Sequence, residues 1–326
     1  MTPNPADDPS DAEAGDADID ADSGRTETES AEAEPVEDES VDADRADAER
    51  IDADPTGYDA GGRRDVLVVG GGVAGLTAGV FTARAGLDTL VVNAGESILR
   101  RNAHLENFPG FPAGVNARLF ADMLEAQATG NGCDLLRGEV TSVRREEVKG
   151  EAARDGFVAE VELDGDAADG GERTTVAARY VVAASWSDAS YLDGLGVDVR
   201  DAGSKRYVGE DGLGRTNVEG LYVAGRLAER YHQAVIAAGH GAQTAITLVH
   251  DSDVPFYNDW VTPEGYFTGR GREVPPGCEE IDDRERRARE RASMAAMREY
   301  FSEPHPDRQR THPSLVDDEL GRVPEE

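Results

Sequence analysis

The chain has 326 residues, of which 67 are acidic and 33 are lysine or arginine, so its formal net charge at pH 7 is -34. This charge repels phosphate and excludes nucleic acid as an expected partner. Only Lys149 and Lys205 are lysines. Acid excess with arginine as almost the only cation is typical of a halophile, in whose multimolar salt the Debye length falls to about 3 Å or less. An acidic mesophilic protein is the alternative, but it leaves the lysine shortage unexplained.

Residues 1–60 are the first segment that the sequence defines. They contain 22 acidic and three basic residues, with repeated Asp-Ala and Glu-Ala pairs. Such a segment cannot bury enough apolar surface to offset its chain entropy, which predicts a disordered acidic tail. A folded domain is expected over residues 61–250 and a C-terminal extension over 251–326. No signal-peptide pattern and no membrane-length apolar run is found, which predicts a cytoplasmic protein without a membrane partner.

A buried strand, a glycine-rich turn and a helix are predicted within DVLVVGGGVAGLTAGV, which begins at Asp65. Gly70, Gly72 and Gly75 have the G-x-G-x-x-G spacing. In that pattern the first glycine permits a tight turn, the second lets the backbone approach a pyrophosphate, and the third lets the helix lie close to the strand. The helix N-terminus adds free N–H groups and a positive dipole. This combination predicts a dinucleotide site.

The second predicted strand, residues 89–92, ends at the position where a carboxylate usually binds the ribose hydroxyls. This chain has Asn93 there, with Glu96 three residues later. Asn93 can still bond a hydroxyl. Arg100 and Arg101 could meet a 2′-phosphate or could be solvated surface charges. The motif by itself therefore leaves both FAD and NAD(P) open.

Three strands in a β-meander are predicted over residues 135–184, separated by turn clusters around Gly156 and residues 165–171. About 35 residues, 185–219, then precede another buried strand at 220–225. A helix rich in small residues begins near His232, where its N-terminus could face a developing negative charge, although a plain packing helix would have the same composition.

The chain resembles the FAD-binding half of the thioredoxin-reductase-like pyridine nucleotide-disulfide oxidoreductases over residues 64–249. Three motifs carry the resemblance: VVGGGVAGLTAG, LENFPGFP at residues 105–112, and TNVEGLYVAGR followed by HQAVIAAGHGAQTA. It implies an α/β fold, the FAD/NAD(P)-binding Rossmann-like three-layer ββα domain, with FAD as the cofactor. It also implies that Asn107 approaches the flavin, while Gly225, Gln233 and Ala234 secure the ribityl chain and ring. The predicted cofactor-binding residues are Gly70, Gly72, Val73, Ala74, Gly75, Asn93, Glu96, Asn107, Val140, Ala184, Gly225, Arg226, His232, Gln233 and Ala234.

The chain departs from the family pattern at several positions. Arg226 stands where the family has an aspartate, and it can donate to a ribityl hydroxyl or phosphate but cannot accept. His232 stands where an arginine is usual. In two-domain relatives a second nucleotide-binding domain, with the dithiol of thioredoxin reductases, is inserted where this chain has residues 185–219. One βαβ unit needs about 30 residues and a domain on the order of 100, so the sequence predicts a linker there and one nucleotide site.

The C-terminal extension contains an aromatic-rich stretch and a charged helix predicted at about 279–301. Met294, Met297 and Phe301 are spaced as one helical stripe, which is interpreted as docking on the domain. Cys133 and Cys278 are isolated, which favours packed thiols over a redox pair, and no zinc-ligand spacing is present.

The resulting hypothesis is an FAD-dependent oxidoreductase without the NADPH domain and redox dithiol, which exchanges electrons with an external donor or acceptor and could form a homodimer. No side chain is identified as an acid, base or nucleophile. A flavin-binding carrier or redox sensor without turnover is the main alternative, and a degenerate fold used for protein interaction is a third.

Overall fold

The computed structural model describes residues 63–146, 156–164 and 172–307. The predicted acidic tail, residues 1–60, lies outside the described residues, as does the end of the C-terminal extension from residue 308 onward. No helix in the described part combines the length and the apolar character that crossing a bilayer requires.

A parallel sheet forms the middle layer of the domain. Its strands, in spatial order, are β3 (Asp134–Glu146), β2 (Thr89–Asn93), β1 (Arg64–Val69), β5 (Arg173–Ala183) and β8 (Leu221–Val223). The central strands are runs of valine and leucine that are buried on both faces, as parallel strands covered on both sides require.

The predicted meander is confirmed and forms a second sheet layer. The second half of β3 pairs antiparallel with β4 (Gly156–Leu163), which in turn pairs antiparallel with the first half of β5. β3 and β5 therefore belong to both sheets. An apolar cluster that includes Phe157, Val161, Val181 and Leu221 fills the space between the layers.

Helices cover the opposite face of the parallel sheet. They are α1 (Val73–Arg84), α2 (Ala117–Gly130) and α3 (Ala234–Asp251), and they close a second apolar cluster over β1 and β5. The order helix, sheet, meander is the predicted three-layer fold. α1 begins at Val73 and ends at Arg84, and Gly86 follows with a φ of +86°, the left-handed conformation that ends a helix. α3 begins two residues later than predicted.

Residues 185–219 were predicted to be a linker, and this prediction is wrong. They contain a short 3₁₀ helix at Ser190–Leu192 and a hairpin of β6 (Val199–Ala202) and β7 (Lys205–Val208). Leu192 and Val208 are buried in the cluster between the sheets. Because the segment is rich in glycine, its sequence does not indicate that these few apolar residues pack into the domain core.

The C-terminal extension adds a parallel pair, β9 (Trp260–Pro263) and β10 (Cys278–Ile281), and a long helix, α4 (Asp283–Tyr300). The predicted docking of the apolar stripe is wrong for most of its length, because Met294 is 53% exposed and Met297 38%. α4 buries none of its residues. Phe301, just beyond the end of α4, lies with its ring 6.4 Å from that of Phe111.

α1 and α3 pack closely because one residue at their contact is a glycine. Substituting that glycine tests the packing of the two helices. A methyl group at Gly241 would overlap the carbonyl oxygen of Ala74, whereas one at Gly239 would enter open space. We expect Gly241→Ala to lower the free energy of unfolding by about 1–3 kcal/mol. Gly239→Ala should raise it by about 0.5–1 kcal/mol, because alanine is the better helix former. Urea unfolding at constant high salt measures both, and equal effects would contradict this packing.

Candidate functional site

A cleft of about 1030 Å³ opens at the carboxyl ends of the parallel strands. Its walls come from the ends of β1 and β2, from Ala184 just after β5, from residues 96–107 and from the start of α3. The carboxyl ends of parallel strands are where open α/β sheets bind their ligands. Small-molecule sites usually measure about 300–1,000 Å³, so this cleft suits a large ligand.

The glycine turn lines the cleft. For all but one of its glycines, a nearby protein atom leaves no room for a side chain. Gly70 has a φ of +111°, and a methyl group there would lie 2.6 Å from the Ala184 carbonyl oxygen. One at Gly71 would lie 2.5 Å from Asn93 Cγ, and one at Gly75 would overlap the Gly70 carbonyl oxygen.

Gly72 is the exception. Its φ of -83° suits any residue, and a methyl group there would come no closer than 3.7 Å to Ser97 Oγ, the only neighbour within 4 Å. The protein itself therefore does not require glycine at this position. A ligand group pressed against the backbone from inside the cleft would require glycine here, and a pyrophosphate is the group for which this fit is expected.

Two helices begin at the cleft. Gly72 is the N-cap of α1 and Gln233 is the N-cap of α3, and the first residues of both helices line the cleft. The N–H groups of a first turn lack intrahelical acceptors, and neither first turn contains an acidic side chain. Both helix ends therefore present positive dipole to the cleft, which favours a phosphate or a developing negative charge.

Asn93 has a role that its position in sequence did not reveal. Its Oδ1 accepts a hydrogen bond from the Gly71 N–H at 3.0 Å, and its Nδ2 donates to the Gly95 carbonyl at 3.3 Å. The side chain therefore holds the glycine turn in place. Oδ1 retains one lone pair, so the predicted contact with a ribose hydroxyl remains a prediction. Glu96 lines the same part of the cleft.

Two distant motifs meet in the lining of the cleft. Asn107, from the segment LENFPGFP, donates from Nδ2 to Gln233 Oε1 at 2.8 Å. This one hydrogen bond joins two segments that are 126 residues apart in sequence. The resemblance to the oxidoreductase family had implied that both residues lie near the flavin, and the structure brings them together.

Arg226 is held by the protein around it. Its guanidinium donates to Tyr207 Oη at 2.6 Å and to the Arg230 carbonyl at 3.0 Å, and it lies 4.9 Å above the Tyr207 ring. Tyr207 belongs to β7, so the hairpin that the sequence analysis took for a linker orients this arginine. Arg226 still lines the cleft, and donation to a ligand remains a prediction.

Two histidines near the cleft are held neutral. Burial lowers the pKa of His232 below its usual value, and the positive charges of Arg226 and Lys205 add to the effect. Burial also lowers the pKa of His240, whose Nδ1 accepts a hydrogen bond from the Gly225 N–H at 3.0 Å. Arg226, and not His232, therefore supplies the fixed positive charge in this part of the cleft.

The cleft gathers most of the predicted cofactor-binding residues. All of them line it except Gly75 and Gly225. These two lie behind its surface: Gly75 brings α1 against the glycine turn, and a methyl group at Gly225 would lie 2.7 Å from the Ala74 side chain. Sequence reasoning missed Gly71, Ser97, Trp186 and Tyr231, which also line the cleft. Gly71 could have been recognised from the triple glycine.

Trp186 has the most unusual conformation in the cleft. Its φ of +66° lies in the left-handed region, where a residue with a Cβ costs about 1–2 kcal/mol. Its indole ring lies 4.4 Å from the His232 ring, measured between centroids, at an interplanar angle of 74°. Among the described residues Glu229 is the only other non-glycine residue with positive φ.

The two cysteines lie outside the lining of the cleft. Cys133 is buried, and burial raises the pKa of its thiol to about 12. Cys278 lies in β10, outside the cleft lining, and both thiols are free. In the described ranges no group of three or more histidine, cysteine and carboxylate side chains is arranged to hold a metal ion.

Comparison with known sequences identifies the segment that carries the glycine turn. The family model described as an FAD binding domain matches residues 65–105. The thioredoxin reductase of Streptomyces clavuligerus is 40% identical over 84 residues, which cover 24% of this chain and 26% of that protein. The thioredoxin reductase of Aquifex aeolicus is 37% identical over 78 residues, 23% of this chain and 24% of that one. The chain thus matches about a quarter of the length of these curated relatives.

Two solved structures match a larger part of the chain at lower identity. The thioredoxin reductase from T. acidophilum is 16% identical, with a TM-score of 0.48, and the match covers 58% of this chain and 98% of that one. The structure of a thioredoxin reductase from Gloeobacter violaceus is 14% identical, with a TM-score of 0.47, and covers 60% and 99%. The FAD binding domain match at residues 65–105, which contain the glycine turn, indicates FAD as the cofactor.

Proposed function

We propose that the chain is an FAD-dependent oxidoreductase that holds one FAD in the cleft and exchanges electrons with an external donor and acceptor. The observation that carries this proposal is Gly72, where the protein leaves open space at the N-terminus of α1. A dinucleotide pyrophosphate at that position would use both the space and the unpaired N–H groups.

Different residues of the cleft would bind different parts of FAD. The glycine turn and the first turn of α1 would hold the pyrophosphate, with Asn93 fixing the turn. Asn107 and Gln233 would hold the ring end, and Arg226 would supply positive charge beside it. The flavin contributes the redox chemistry, by accepting and releasing electrons singly or as hydride. The protein contributes position, exclusion of water and electrostatics.

An external donor is proposed because of what lies between β5 and β8. That segment, fully described, contains a 3₁₀ helix and a hairpin, and no second strand, glycine turn and helix. The buried Cys133 and the distant Cys278 offer no dithiol beside the cleft. The same observations favour a second candidate, a flavoprotein that carries or senses electrons without turnover of its own.

Multiple turnover separates the two candidates. The flavoprotein would be supplied anaerobically with a reduced ferredoxin-like donor and, in separate reactions, with a quinone or a disulfide as acceptor. We expect many equivalents of at least one acceptor to be reduced per chain, faster than with free FAD at the same concentration. Reduction that stops after one equivalent with every acceptor would contradict the enzyme and support the carrier.

A further inference from the structure

We propose that Trp186 is an aromatic wall of the cleft against which the isoalloxazine ring of FAD stacks, and that it positions that ring. This inference rests on the proposed FAD site and adds a residue to it. The conformation of the tryptophan and its neighbours in the cleft support it.

The backbone around Trp186 is fixed in its unfavourable conformation. The Ser185 hydroxyl hydrogen-bonds to the Asp188 carbonyl at 2.7 Å and to the Tyr191 hydroxyl at 2.9 Å. The Asp188 N–H also donates to the Ser185 carbonyl at 3.4 Å. A residue with a Cβ persists at positive φ only when its surroundings determine the conformation in this way, and such positions cluster at ligand sites. Glycine would occupy the position without this cost.

This conformation directs the indole into the cleft. Trp186 is half-buried and lines the cleft, and its ring contacts the edge of the His232 ring. His232 is followed in sequence by Gln233, which accepts the hydrogen bond from Asn107. The tryptophan therefore lies beside the residues through which the two distant motifs meet.

The lining of the cleft offers two kinds of surface. The glycine turn and the N-terminus of α1 suit a phosphate, whereas Trp186 and His232 present aromatic rings. FAD carries a planar ring on each side of its pyrophosphate, adenine and isoalloxazine. The isoalloxazine is assigned to Trp186 because Gln233, which follows His232, pairs with Asn107, and the family resemblance implies that both lie near the flavin. An indole is a favourable partner for that ring, since aromatic rings stack with an offset or edge-to-face geometry. Contact with an electron-rich indole also quenches flavin fluorescence, because the excited flavin takes an electron from the indole and returns it at once.

The chain contains two tryptophans, which gives the test a matched control. Trp260 packs against Tyr266 and Phe267 in the β9 region and does not line the cleft. The variants Trp186→Phe, Trp186→Ala and Trp260→Phe would be freed of flavin and titrated with FAD by equilibrium dialysis in concentrated salt. We expect Trp186→Ala to raise the Kd for FAD about tenfold or more. Bound flavin should be several-fold brighter in both Trp186 variants and unchanged in Trp260→Phe.

A third variant separates cofactor contact from a structural role. Trp186→Gly removes the backbone strain, so its apoprotein should melt at a higher temperature than the wild-type apoprotein while binding FAD more weakly. A residue needed only for folding would lose stability and affinity together. Unchanged Kd and unchanged flavin fluorescence in all Trp186 variants would overturn the inference and leave the FAD site standing. A wild-type apoprotein that binds no FAD would contradict the proposed function and this inference together.

Discussion

Valine in place of Gly72 should weaken the binding of FAD and leave the fold intact. The backbone at this position has an ordinary φ, and a first side-chain carbon there has room on the protein side, 3.7 Å from Ser97 Oγ. The remaining space is the space in which a pyrophosphate would meet the N-terminus of α1. A branched side chain that must be accommodated there costs about 1–3 kcal/mol, equivalent to roughly 5- to 150-fold in the Kd for FAD.

The matched controls for this variant come from other glycines. Gly239→Ala adds a methyl group to a helix that begins at the cleft, but at a site with no neighbour within 4 Å, and should leave the Kd for FAD unchanged. Gly75→Val should fail differently, by destabilising the fold, because its side chain would overlap the Gly70 carbonyl. The Kd for FAD and the urea unfolding midpoint distinguish these cases. A folded Gly72→Val protein that binds FAD with the wild-type Kd would contradict the site.

NADPH and NADH should reduce the bound flavin slowly and without saturation. Direct hydride transfer needs the nicotinamide about 3–3.5 Å from the flavin, and that positioning contributes several kcal/mol to lowering the barrier. The described segment from 184 to 220 is packed against the FAD-binding domain by Leu192 and Val208 and offers no strand, glycine turn and helix for a second nucleotide. A free nicotinamide can then react only through collisions, so the rate should rise linearly with its concentration.

The measurement is anaerobic mixing of the flavoprotein with each nucleotide, followed as bleaching of the flavin absorption band. Free FAD at the same concentration is the reference, and dithionite shows that the bound flavin is reducible. Fast bleaching that saturates at micromolar NADPH or NADH would refute the external donor and would require a nucleotide site in another part of the chain.

The strand, glycine turn and helix at the start of the domain could be predicted from sequence because each step has a local cause. Apolar β-branched residues form the strand, Gly70 requires positive φ, and Gly86 ends the helix in the same way. The meander could also be predicted from sequence, because its strands are long and clusters of turn-forming residues separate them. The order of these elements then fixes the three-layer fold.

The errors arose where a few long-range contacts decide the structure. The β6–β7 hairpin is short and polar, and it is held by Leu192, Tyr207 and Val208, whose partners are distant in sequence. The exposed stripe of α4 shows the reverse: helical spacing predicts a face but not whether another element covers it. The role of Asn93 in holding the turn also depends on a contact 22 residues away.

Trp186 illustrates why the candidate site was predicted only in part. Its sequence neighbours give no sign of a left-handed backbone, because the conformation is imposed by the hydrogen bonds of Ser185 and by the packing of Tyr191. Most of the residues inferred from the family resemblance line one cleft, whereas Trp186 became visible as a cleft residue only in three dimensions.

The central claim is that the cleft holds one FAD, and the flavin content of the wild-type protein tests it most directly. The protein would be purified in concentrated salt, supplied with FAD, freed of excess cofactor and denatured, and the released flavin identified and counted by chromatography. Because the glycine turn suits a pyrophosphate, which FMN lacks, we predict one FAD per chain and no FMN. A colourless protein that retains no FAD after this treatment, or one that retains FMN instead, would contradict the account.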